Sequence, residues 1–223
     1  MNDDRAHSSA ADGRWSQEAA FPRSSLQRLR TLLLEEGGPM RSLVADPPVG
    51  GVAGSDRPTG PLESAGPDGP TGTDGSMGTH GSPPPIGPAQ LAASGPRVDG
   101  RAAEYELLVE AIYEGYLLHY HAPRVVRPPE DDLGLLAGDC LYALGLARLV
   151  KLGDVEAVAE LADVITLSAL AHGSGKPKLA AAVWTAGARA VGWGATPHHE
   201  RAKALTRAGS PDALEAMRSL ASA

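Results

Sequence analysis

LLAGDCLYALGLARL, residues 135–149, holds only two charged side chains, Asp139 and Arg148. Extended to about residues 131–152, the segment carries Leu133, Leu135, Leu136, Leu141, Tyr142, Leu144, Leu146, Leu149 and Val150. These fall on nearly every side of a 3.6-residue helix, and a helix apolar all round belongs in the centre of a bundle. Asp139 stands out there, because a carboxylate among leucines needs an Arg, a backbone amide or a neighbouring subunit to offset its desolvation. Cys140, the one cysteine, reads as a small buried hydrophobe, and a single thiol excludes an internal disulfide or a cysteine zinc cage.

On the C-terminal side, Gly153 is a left-handed stop and Asp154 an N-cap for a helix over about 155–171. Val158, Leu161, Ala162, Ile165 and Ala169 keep helical spacing there, with Glu156, Glu160 and Asp163 turned to solvent. The two helices read as an antiparallel hairpin. HGSGKP breaks the chain again, and Pro177 starts a helix carrying Leu179, Val183, Trp184, Ala188 and Val191. Thr196-Pro197 and Ser210-Pro211 repeat the cap-then-proline signal, predicting two short final helices.

On the N-terminal side, Asp99 is a candidate cap for a helix over 101–120. Glu106, Glu110 and Glu114 recur every four residues and predict one narrow solvent face between apolar ones. The loop that follows breaks the helix at Pro123 and again at Pro128 and Pro129. Sixteen of 27 Gly and 13 of 19 Pro fall at or before position 100, a composition that buries too little to offset the entropy of ordering. The expected organisation is a disordered stretch over 1–24, a short amphipathic helix over 25–36 and a disordered Gly/Pro-rich linker over 37–100. An all-helical domain over 101–223 completes it, giving an all-α fold class, a compact helical bundle.

The net charge of -7 and a pI near 5.5, without a stripe of Lys and Arg, exclude the footprint of a nucleic-acid partner. No uninterrupted apolar run reaches a membrane span, and MNDDRAHSSAADGRW lacks the order of a secretory signal, so the expected location is the cytoplasm. Arg28 and Arg30 on the amphipathic stretch leave room for a peripheral membrane contact. GSGK, residues 173–176, joins two helices and lacks the full phosphate-loop pattern, so it reads as a turn. His119 and His121, and the adjacent His198 and His199, lack the i,i+3 or i,i+4 spacing that lets helical ligands share a metal. Glu130, Asp131 and Asp132 sit where a helix N-terminus attracts acids.

Residues 135–166, LLAGDCLYALGLARLVKLGDVEAVAELADVIT, resemble the helix pair after the first aspartate-rich motif of trans-prenyl diphosphate synthases. The resemblance is nearer to the small, component-1 subunits of two-component heptaprenyl diphosphate synthases. The preceding VEAIYEGYLLHYH, residues 109–121, is similar to the helix that ends in DDxxD in the catalytic enzymes, but Tyr120 and His121 stand where the aspartates would begin. The second aspartate motif is missing from the sequence too. The resemblance implies isoprenoid-synthase-like helices and an accessory subunit that stabilises a catalytic chain and shapes its product tunnel. It also implies no catalytic residue or cofactor here, Mg²⁺ being expected only on the partner. Gly138, Asp139, Tyr142, Tyr116 and His119 are the structural or interface candidates. The alternatives are a helical interaction module of another pathway, tethered through its N-terminal helix, and a small stand-alone enzyme.

Overall fold

The structure, a computed structural model, describes residues 24–45 and 86–221. The expected N-terminal stretch up to residue 23 and most of the expected linker, 46–85, lie outside the described residues, as do 222–223. Helices α1 Ser25–Glu36 and α2 Gly38–Arg41 come first, then α3 Pro88–Ala93 and a 3₁₀ turn at Pro96–Val98. The remaining helices are α4 Ala102–Tyr120, α5 Asp131–Lys151, α6 Val155–Gly173, α7 Pro177–Trp193, α8 Pro197–Arg207 and α9 Ala213–Ala221. No strand is present among the described residues, and the isolated antiparallel bridge Val44–Val126 is the one sheet-like pairing among them. The fold is all-α.

The boundaries follow local chemistry. The Ser24 side chain accepts from Gln27 N while the Gln27 side chain accepts from Ser24 N, a reciprocal capping box. Gly153 takes φ 78° and Asp154 caps Ala157 N. Pro177 and Pro197 occupy first-turn positions, and Thr196 caps His199 N. Asp99 does not cap α4. Its carboxylate accepts from Gly100 N, and Arg101 takes the cap position without a side-chain bond.

The bundle is centred on α4, not on α5. Tyr105, Leu108, Val109, Ile112 and Tyr116 enter a large core with α3 and α6 to α9, while Ala111 enters a second with α1 and the α4–α5 loop. Helix α5 buries a stripe of small residues, Gly134, Ala137, Gly138 and Gly145, with Leu141 and Leu149. Leu135, Leu136 and Val150 stay exposed, as do Asp139 and Cys140. The expectation of a central α5 with a buried cysteine is therefore reversed. Close approach requires the small face inward: a Cβ on Gly115 would lie 2.9 Å from the Gly138 carbonyl oxygen. Among the described residues α5 is also the one helix long and apolar enough to cross a membrane, and its buried stripe is packed on α4.

The acids of α4 do not share a solvent face. Glu114 is fully buried and its Oε1 accepts the backbone N–H groups of Arg124, Val125 and Val126 at 2.7, 2.6 and 3.2 Å. Arg124 Nε donates to Oε2 at 3.3 Å. Glu110, also buried, pairs with the Arg124 guanidinium and accepts from Ser25 Oγ at 3.2 Å. Burial pushes the Glu110 carboxyl upward, and Arg124 pulls it partly back. Of the three acids spaced four apart, Glu106 alone stays near the surface, paired with Arg28 of α1.

The expected linker is shorter at both ends. Ala45 N donates to Val125 O at 2.9 Å and Arg127 N to Leu43 O at 2.8 Å, so the chain after α1 lies on the α4–α5 loop. Ala89, Ala92 and Val98 are buried in the large core. A Cβ on Gly95 would lie 2.2 Å from Gly192 backbone atoms, so this segment docks through a contact that only two glycines allow. Arg97 completes it, donating to Asp154 Oδ1 at 2.8 Å and to Val191 O at 3.2 Å.

Glu114→Ala removes the acceptor for three backbone amides, two of them in buried hydrogen bonds, and is expected to cost about 3–5 kcal/mol. Glu114→Gln keeps one acceptor oxygen and loses less. Urea denaturation of both variants checks the order, which an unchanged midpoint for the alanine variant contradicts.

Candidate functional site

The end of α4 and the first half of α5 gather all five residues singled out in the sequence. Gly138 faces Gly115, and a Cβ on Gly138 would lie 2.7 Å from the His119 ring. His119 in turn stacks on Tyr142, with centroids 5.3 Å apart and planes 1° from parallel. Asp139 is not the buried, unpaired acid expected from its leucine-rich setting. It turns outward from the small stripe, 67% exposed, with Oδ1 3.2 Å from His119 Nε2, an ion-pair distance without hydrogen-bond geometry. Tyr142 is half-buried, and burial, then neighbouring Tyr120 and Asp139, raises its hydroxyl well above the ordinary tyrosine range.

Tyr116 lies one turn deeper. Its hydroxyl sits 3.0 Å from His121 Nε2 and 2.9 Å from His172 Nε2. The hydroxyl carries a single proton and can donate to only one of these nitrogens, so at least one of the two imidazoles presents an Nε2–H to it. Burial, and then Tyr113 and Tyr120, pushes the Tyr116 hydroxyl up to about 12. Tyr120 stacks on His172 at 4.1 Å with planes 3° apart. Trp184 of α7 closes the cluster edge-on to Tyr113 at 4.9 Å. Beside it lies a cleft of about 520 Å³ whose lining includes His119, Tyr120, His121, Arg127, Asp131 and Leu135. His172 was not among the sequence candidates, since it lies more than fifty residues from Tyr116 on another helix.

A second polar cluster has no counterpart in the sequence reading, where Glu160 faces solvent with Glu156 and Asp163; Glu156 does, at 84% exposed, and Glu160 does not. The buried face of α6 runs through Ala157, Leu161, Val164, Leu167 and Ala171, about one residue out of phase with the predicted face, which turns Glu160 inward. Its carboxylate lies 2.6 Å from His199 Nε2 and 3.0 Å from Lys203 Nζ, both of α8. Lys203 also reaches Asp163 at 2.9 Å and Glu200 at 2.7 Å. Burial pulls the Lys203 ammonium down, but these bonds outweigh it and leave the group raised. A cleft of about 350 Å³ adjoins the cluster, with Arg97, Glu156, Glu160, Glu200 and Lys203 in its wall. The spacing of His199 and Lys203, i and i+4 on one helix face, was the available signal.

The remaining motifs fall where local chemistry puts them. GSGK is an interhelical turn, with Gly175 at φ 67° and Lys176 N bonded to Ala171 O. Asp131 and Asp132 occupy the first turn of α5, and the Glu130 side chain makes no capping bond. Among the described residues no three His, Cys, Asp or Glu side chains are placed to hold a metal ion.

Burial, and then His121, lowers the His172 pKa from its ordinary 6.5. The unfolded chain therefore takes up this proton at a higher pH than the folded one, so stability falls as pH drops from about 6.5 through the folded value. His172→Phe keeps a ring against Tyr120 and cannot titrate. Urea midpoints measured from pH 7.5 to 5 are expected to fall less steeply for this variant, and identical slopes contradict the assignment. Gly115→Ala would gain about 1 kcal/mol in helix propensity but overpack against a backbone carbonyl at about 1–3 kcal/mol. A net loss of about 1 kcal/mol is expected, and a raised unfolding midpoint contradicts it.

Compared with known proteins, the chain matches no family model, no curated protein and no solved structure.

Proposed function

We propose that this chain is a non-catalytic helical subunit that acts by binding another protein. Its partner is the catalytic chain of a long-chain polyprenyl diphosphate synthase, which it stabilises and whose product tunnel it helps to shape. The pathway rests on the resemblance of residues 109–121 and 135–166. The non-catalytic part is carried by one observation, the packing of Tyr120 and His121, the residues that stand where the first aspartates of the synthase motif would begin.

Ionising an allylic diphosphate requires carboxylates that hold Mg²⁺ against the leaving pyrophosphate. At that position this chain stacks Tyr120 on His172 and hydrogen-bonds His121 to Tyr116. Rings in mutual contact serve packing, and in this reading the metal belongs to the partner. The tethered variant of the alternative, in which the first helix docks elsewhere across a linker, is disfavoured because Leu29 and Leu33 of α1 are buried against the domain.

Co-expression of the full chain with synthase subunits that carry both aspartate motifs tests the proposal. The expected result is a co-purifying complex with raised isopentenyl diphosphate incorporation or an altered product length. No complex and no change in either readout overturns the pathway and leaves the reading of an interaction module in another one.

A further inference from the structure

The outer face of α5 is a continuous apolar seam. Leu136 and Val150 are 62% and 58% exposed, and Cys140, Ala143 and Ala147 between them are exposed as well. With half-buried Leu133 they follow one another at intervals of 3, 4, 3, 4 and 3 residues, the a/d spacing of a coiled-coil seam. The seam runs roughly 25 Å at 1.5 Å per residue. Singly exposed leucines are ordinary, whereas a row in heptad register marks a contact surface.

We propose that this seam pairs with the same seam of a second copy of this chain, the two α5 helices running antiparallel about a twofold axis. A twofold contact requires a patch that complements itself, and this one does. In antiparallel register Leu133 lies opposite Val150 of the other copy, Leu136 opposite Ala147 and Cys140 opposite Ala143, each layer occurring twice. Small side chains fill the middle and let the backbones approach, while the branched residues close both ends.

Charge selects the direction and the occupant. The N-terminal half of α5 exposes Asp131, Asp132 and Asp139, and its C-terminal end exposes Lys151. Arg148 is already engaged by Glu36. Antiparallel pairing sets the acidic N-terminal half of each α5 beside the C-terminal end of the other, which carries Lys151, and it opposes the helix dipoles. Parallel pairing would set three carboxylates against three. This contact goes beyond the proposed function and holds whether or not a synthase subunit binds elsewhere.

Sedimentation of the full chain at micromolar concentration is expected to give twice the 22.9 kDa chain mass. Ala143→Glu should weaken the dimer at least about 100-fold with unchanged far-ultraviolet circular dichroism. Under mild oxidation A143C, which retains Cys140, is expected to cross-link into a dimer, whereas V150C on a C140S background is not. A monomeric wild type, a dimer that survives Ala143→Glu, or cross-linking through V150C overturns the proposal. So does a monomer that floats with phosphatidylcholine vesicles through this face.

Discussion

The carboxylate of Glu114, sealed inside the bundle, is the constraint on which much of the arrangement depends. A buried acid is tolerated only where its lone pairs are filled, and here they are filled by three successive backbone amides and Arg124 Nε. That fixes the loop between α4 and α5, which would otherwise be a proline-rich excursion. The fixed loop presents Val125 and Val126 to the segment after α1 through the Val44–Val126 bridge. Arg124 reaches back to Glu110, and Glu110 holds Ser25 at the start of α1. The first helix is thus tied to the domain by a chain of contacts that begins at one side chain.

Where helices start and stop was legible, because caps and prolines act within a few residues. Ser24 with Gln27, Gly153 with Asp154, and Thr196 with Pro197 each settle a boundary locally. Which face each helix buries was much less legible. Glu110, Glu114 and Glu160 carry the spacing of solvated acids, yet their partners arrive from a loop ten residues on or from α8 about forty residues on. Periodicity contains nothing about such a cation. The helix α5 misled for a different reason, since total apolarity hides the distinction between residues that fit against a neighbour and residues that cover it. Gly134, Gly138 and Gly145 decide the side, because a helix pair approaches closely where side chains are absent. The segment over 86–100 was lost to its composition, although Gly95 is there for contact with Gly192.

The candidate site was more legible than the packing around it. Tyr116, His119, Gly138, Asp139 and Tyr142 come together because they lie on two helices that a short loop forces side by side. Each stands out singly in the sequence, whereas the hairpin predicted there joins α5 to α6 and not α4 to α5. His172 and Trp184 complete the cluster from α6 and α7, and no local pattern announces them. The Glu160 cluster needed the register of two distant helices at once.

The orientation of α5 poses an energetic question that the isolated chain does not answer. Each fully buried leucine or valine contributes about 1.5–3 kcal/mol relative to exposure, and this helix keeps Leu135, Leu136 and Val150 outside while burying glycines. For a lone bundle, rotating the larger residues inward would add apolar burial. The contact with α4 forbids it, since larger side chains at positions 115, 138 and 145 would push the helices apart and pull His119, Tyr142 and Ile112 out of register. A helix held glycine-side in by its neighbour must turn its apolar surplus outward. That surplus is stabilising only when a second surface covers it, so the same close approach that builds the site also builds the seam.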